Sequence, residues 1–126
     1  MATVPAVFTD LSINGDKSVQ KVVWNGLNST NNVGAAIAFA EYADRSFHIN
    51  GTFNNANCVI EGSNDGGGNF QTLTDPQGNP ISKSSAALEQ CEEAVSLTRP
   101  NLGNTAGVVT DITVSAVIRR VNTMRQ

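Results

Sequence analysis

Short apolar runs alternating with polar positions recur along this chain, and Asn, Gly or Pro interrupts each within about ten residues, a pattern that predicts β-strands joined by tight turns. The most regular run is Val108 to Ile118. Val108, Thr110, Ile112, Val114, Ala116 and Ile118 share one face there, and Val109, Asp111, Thr113, Ser115 and Val117 the other. Arg45 to Phe53 alternates with the same period, setting Phe47, Ile49, Gly51 and Phe53 against Ser46, His48, Asn50 and Thr52, with Phe47 and Phe53 expected in the core. Further strands are predicted at Lys17 to Trp24, Asn57 to Gly62, Asn69 to Leu73 and Ala94 to Arg99, the last stopped by Pro100. Val33 to Tyr42 contains helix-forming alanines, but Ala35, Ile37, Phe39 and Glu41 alternate, and the strand reading is preferred.

Between these runs, Ser63-Asn64-Asp65-Gly66-Gly67-Gly68 predicts a hairpin tip. Asp75-Pro76-Gln77-Gly78-Asn79-Pro80 predicts a second reversal, because proline presets φ and glycine permits φ > 0. Ser84 to Glu93 is the one candidate helix, with Ser85 as its cap and a loop as the alternative. Strands without crossover helices imply an all-β chain, an antiparallel β-sandwich or small barrel of jelly-roll or immunoglobulin-like kind. Residues 1–15, with Pro5 and no sustained period, are expected as an extended N-terminal arm, residues 16–118 as the β-sandwich domain, and residues 119–126 as a short basic C-terminal tail.

Length and composition narrow the function. The 126 residues and 13.2 kDa suit one domain with one core. Charged residues make up 15% of the chain, below the roughly 25% of an average domain, which leaves more surface for protein contacts. A net charge of −3 disfavours nucleic acid as a partner, since that function needs a basic stripe. The longest weakly polar run, Val33 to Ala40, is too short to span a bilayer, and no positive and apolar leader opens the chain, so a soluble, unexported protein without a membrane partner is expected. Asn28-Ser29-Thr30 and Asn50-Gly51-Thr52 match the glycosylation pattern by chance among fifteen asparagines.

Candidate chemistry is sparse. Cys58 and Cys91 have no metal spacing, and both are expected as reduced thiols, Cys58 as a small buried hydrophobe. His48, the single histidine, has no nucleophile or acid partner in its sequence neighbourhood and reads as a solvent-facing strand residue. Glu89, Glu92 and Glu93 could supply paired carboxylates but read as a solvated face. Asn64, Asp65 and Asp75 are calcium-type ligands without a calcium-loop spacing, and Gly66 to Gly68 lack the lysine and helix of a phosphate loop. No enzyme, metal or cofactor is expected. Two features remain: the apolar Val4, Val7, Phe8 and Leu11 of the arm, suited to β-augmentation onto a partner, and the basic cluster Arg119, Arg120 and Arg125, suited to an acidic partner surface.

The progression Asp44-Arg45-Ser46, Gly51-Thr52-Phe53, Gly62-Ser63-Asn64-Asp65-Gly66 and Leu73-Thr74-Asp75-Pro76-Gln77-Gly78-Asn79, followed by an acidic turn and Arg99-Pro100 before the last strand, resembles small structural proteins of tailed bacteriophages. The resemblance implies a capsid decoration, or cement, protein outside the major capsid protein lattice, often a homotrimer at three-fold positions. Such a protein is made in the bacterial cytoplasm and carried on the virion surface. It carries over no catalytic residue. A tail or baseplate component is an alternative, because phage folds are reused across the particle. The Ser63 to Gly67 hairpin followed by Phe70 also resembles turns in discoidin-like glycan-binding sandwiches, which present exposed aromatics for sugar stacking.

Overall fold

The computed structural model describes residues 3–38, 41–42, 44–93 and 95–120. Ten strands form along them: β1 (Ala6–Asp10), β2 (Val19–Leu27), β3 (Ile37–Ala38), β4 (Asp44–Thr52), β5 (Cys58–Ser63), β6 (Gln71–Thr72), β7 (Ser82–Lys83), β8 (Ala87–Gln90), β9 (Leu97–Asn101) and β10 (Asp111–Arg119). One antiparallel sheet has the order β1-β2-β10-β4-β8; the second runs β3-β9-β5-β6, with β7 also on β5. Each sheet has free edges, so the architecture is a β-sandwich and not a closed barrel. The all-β sandwich expected from alternation is therefore borne out.

The alternation explains the core. From the first sheet Val22, Trp24, Phe47, Ile49, Ile112, Val114, Ala116 and Ile118 point inward, and Cys58, Ile60, Leu73, Ile81 and Leu102 meet them from the opposite layer. Trp24 and Leu27 are both buried although three residues apart. A register shift accounts for this: Ile112 faces Leu27 and Thr113 faces Asn25, which leaves Gly26 as the extra residue at φ 89. A bulge of this kind needs a left-handed residue, and glycine takes that conformation without a Cβ clash.

Four expectations are corrected. Ser84 to Glu93 forms no helix: Ala87–Gln90 is strand β8, with Ala87 opposite Ile49 and Gln90 opposite Ser46. Its helix formers cover little more than two turns, too short to be stable alone, whereas the β4 edge offers a ready backbone ladder. Pro100 does not stop its strand but lies within β9, opposite Ile60. Its carbonyl accepts from Gly34 N at 2.9 Å, so its nitrogen faces the same side, where pairing is interrupted between Gly34 and Ile37 and no N–H is required. Val108 is not a strand residue; it is 96% exposed ahead of the strand. A turn in which Gly107 N donates to Thr110 Oγ1 at 2.8 Å delays β10 to Asp111.

The fourth correction concerns the ends. Residues 1–15 supply β1, which pairs with β2 from Ala6 opposite Trp24 to Asp10 opposite Gln20. Val4 is buried and bridges Gly34 of the second layer, so this segment belongs to the sandwich. At the other end Arg119 closes β10, and Arg120 N donates to Ser18 O at 2.8 Å. The rest of the expected tail, Arg125 included, lies outside the described residues.

Candidate functional site

The outward face of the five-stranded sheet follows from its register. Residues directly opposite on antiparallel strands share a face. Val7, Val23, Ser115, His48 and Leu88 therefore form one continuous outer row crossing all five strands. At about 4.8 Å per strand step that row is roughly 19 Å long. The adjoining row is Thr9, Lys21, Val117, Ser46 and Gln90, and beyond the first row stand Asn25, Thr113 and Asn50, where Thr113 Oγ1 donates to Asn25 Oδ1 at 2.8 Å. Across these rows Lys21 is the lone formal charge. Both ends of the first row are exposed aliphatics, Val7 at 58% and Leu88 at 69%, and Val117 adds a third. His48 is exposed within it, as expected.

The sequence-predicted partner residues fall into two groups, one along the β1 edge and one at the end of the central strand β10, which meet beside Val19. Val4 is buried in the chain's own core. Val7, Phe8 and Leu11 are exposed along and just beyond β1. Arg119 and Arg120 lie at the end of β10, where their charge is largely met within the chain. Arg119 Nε donates to Asp44 Oδ2 at 3.0 Å, Arg120 Nε is 3.5 Å from Glu41, and the Arg120 guanidinium lies 5.4 Å from the Tyr42 ring centroid. A shallow groove of about 340 Å³, lined by Val19, Asp44, Ser46, Gln90, Val117 and Arg119, runs beside this corner.

Sequence reasoning missed Arg45, which is 1% exposed on the inner side of β4. Its Nε donates to Tyr42 O at 2.7 Å and its Nη1 to Glu93 O at 2.8 Å, tying the segment before β4 to the segment after β8. Burial pushes the guanidinium pKa down, and the neighbouring Cys91 partly counteracts it. The alternation that sets Phe47 and Ile49 inward also places Arg45 on that face, which is the signal that could have found it; its partners, two backbone carbonyls, leave no mark in the sequence.

The remaining candidates are occupied internally. Glu89 pairs with Lys83 at 3.0 Å. Glu93 accepts from Thr74 N at 2.8 Å and from the Thr74 hydroxyl. Burial alone would raise the Glu93 carboxyl, but these hydrogen bonds outweigh it and its pKa falls below the ordinary value. Asp65 accepts from Ser63 Oγ at 2.6 Å and Asn69 N at 3.1 Å, and Asp75 from the backbone of Gln77 and Asn79, so both carboxylates shape their own turns. Among the described residues no three His, Cys, Asp or Glu side chains converge. Cys58 and Cys91 are free and buried, and burial pushes the Cys58 thiol up to about 12. A cleft of about 520 Å³ beside the Ser63 to Asn69 turn is lined by Asn64, Asp65, Gln71 and Glu93. Phe70 is covered by the Arg99 guanidinium, 3.7 Å from its ring centroid, and Trp24 and Tyr42 are buried. The aromatic platform of a sugar-stacking site is not assembled here from these three rings.

The chain shares its fold with a prophage protein. The SPBc2 prophage-derived protein YomS superposes with a TM-score of 0.59 at 13% sequence identity, over 79% of this chain and 93% of YomS. No protein-family model and no curated protein matches the chain. With YomS the likeness is one of architecture, carried by the two-layer sandwich and not by shared side chains.

Proposed function

We propose that this protein is a phage structural component that decorates the outside of the capsid and clamps the expanded major-capsid lattice, as the sequence resemblance implies. The observation that carries this reading is the outer face of the five-stranded sheet. It is a row of Val23, Ser115 and His48 bounded by the exposed aliphatics Val7 and Leu88, and Lys21 is the one Lys, Arg, Asp or Glu on it and the two rows beside it. Such a face loses little charge solvation when covered and suits a broad protein contact better than a small-molecule site. A prophage protein with the same sandwich supports a phage origin. Assembly as a trimer would repeat this face around one lattice position and multiply individually weak contacts.

Co-sedimentation of the purified protein with expanded and unexpanded heads of the phage that encodes it tests this reading. Saturable binding to expanded heads near one copy per major capsid subunit is expected. Ser115→Arg, which places a long charged side chain in the middle of the face without entering the core, should abolish that binding while leaving the melting temperature within a few degrees of wild type. Absence of binding to either head refutes capsid decoration and favours the tail-component reading.

A further inference from the structure

Among the described residues the β1 edge carries an unused pairing surface. Leu11 N donates to Val19 O at 2.8 Å, and alternation along an antiparallel ladder then gives the β2-directed hydrogen bonds to Val7, Thr9 and Leu11. Backbone groups of the even-numbered residues point away from β2. Val4 shows this directly, because its N–H and C=O bond across the open side to Val33 O at 2.9 Å and Ala35 N at 2.8 Å. Beyond Val4 that pairing ends, and among the described residues no backbone partner meets the outward groups of Ala6, Phe8 and Asp10.

Edge strands are ordinarily guarded by lysine, proline, a bulge or inward-pointing charge. Between Ala6 and Asp10 there is no Lys, Arg or Pro, the β1–β2 register is unbroken, and the one charge on the inward side, Asp10, sits at the strand end, where it accepts from Ser12 N and Oγ. The opposite edge differs, since Glu89 of β8 is engaged by Lys83. On β1 two neighbouring side chains are apolar and exposed, Val7 at 58% and Phe8 at 47%.

We propose that β1 pairs with β1 of a second copy of this chain, antiparallel and centred on Phe8, joining two five-stranded sheets into one. The strand is self-complementary in that register. Its outward groups lie at positions 6, 8 and 10, symmetric about Phe8, so Ala6 faces Asp10 of the second copy, Phe8 faces Phe8, and about six backbone hydrogen bonds close. The single charge, Asp10, lies opposite an alanine and not opposite its own copy, so no like charges meet across the ladder. Phe8 shares the inward-facing side of the sheet with Val22 at an uncovered rim, and the two-fold sets the two rings beside each other, shielding both from water. The contact is independent of capsid binding.

Sedimentation velocity of the full chain over a range of concentrations, with Phe8→Pro and Phe8→Lys, tests the pairing. Phe8→Pro removes an N–H that points away from β2 and leaves the internal ladder intact; Phe8→Lys sets two ammonium groups opposite each other. Both should weaken self-association at least tenfold, with the melting transition retained. Phe8→Cys should form a disulfide-linked dimer under mild oxidation, whereas Val7→Cys, opposite Thr9 in this register, should not; the native thiols are buried and give little background. A protein that is monomeric at all concentrations, or an oligomer that survives both substitutions and gives no Phe8→Cys cross-link, overturns the proposal. Failure of head binding alone leaves it standing.

Discussion

Trp24 and Gly34 are fitted to each other so closely that position 34 has no room for a side chain. A Cβ built there would stand 2.5 Å from Trp24 Cδ1 and 2.6 Å from Pro100 Cγ, both rigid groups. The same indole donates its N–H to Ala35 O at 2.9 Å. Together these contacts join β2 of one sheet to the segment leading into β3 of the other.

Gly34→Ala should therefore destabilise the protein by about 1–3 kcal/mol, the usual cost of forcing an extra carbon into a packed core. Trp24→Phe, which keeps an aromatic ring but leaves the Ala35 carbonyl without its indole donor, should cost a similar amount or more. Chemical denaturation of the two variants checks both values, and a Gly34→Ala variant as stable as wild type would show that the layers move apart easily at this point.

The Arg45 side chain should matter more to stability than any surface arginine. Replacing it with leucine leaves Tyr42 O and Glu93 O without their charged donors in a buried setting, and a loss of at least about 2 kcal/mol is expected. By contrast Asp44→Asn removes an ion pair with Arg119 in which both side chains are well exposed, and should change stability by less than about 1 kcal/mol, with the difference fading at high salt. Thermal melts of both variants at low and high ionic strength separate the two cases.

Thr110 is buried, and its hydroxyl both accepts from Gly107 N at 2.8 Å and donates to Phe53 O at 2.9 Å. Thr110→Val keeps the shape and removes both bonds. About 1–3 kcal/mol of stability should be lost, and amide exchange should accelerate first in the Gly107 to Thr110 turn and at the start of β10.

The buried Cys58 thiol makes the fold sensitive to alkali. Its folded pKa lies near 12 against 9.0 for the exposed group, so between those values the unfolded chain releases a proton that the folded chain retains. Stability therefore falls as pH rises from about 9 towards 12, with a slope from this group of up to ~1.4 kcal/mol per pH unit. Below pH 9 both states hold the proton and the contribution is flat. Cys58→Ala should make the decline shallower, as measured by denaturant midpoints across that range; an unchanged slope would show that Cys58 is not its source.

Alternation was enough to read the central strands. A period of two with one buried face assigns Phe47, Ile49, Ile112, Val114, Ala116 and Ile118 to the core from the sequence, because a one-residue slip would move the whole set into water. Turn chemistry was legible for the same local reason, at Ser63 to Gly68 and at Asp75 to Asn79. What the sequence left open depends on partners far along the chain. Ala87 to Gln90 has the composition of a helix and becomes a strand only because β4 presents an unpaired edge beside it. Residues 6–10 read as an arm and become part of the sheet because β2 lies alongside them. Arg119 and Arg120 read as a free basic cluster until the fold brings Asp44, Glu41 and Tyr42 next to them. The faces and turns were determined locally, by side-chain period and backbone preference. The edges, the partners of the buried arginine and the uncovered outer row were decided by tertiary pairing, since hydrogen bonds across a sheet join residues whose separation in sequence carries no local signal.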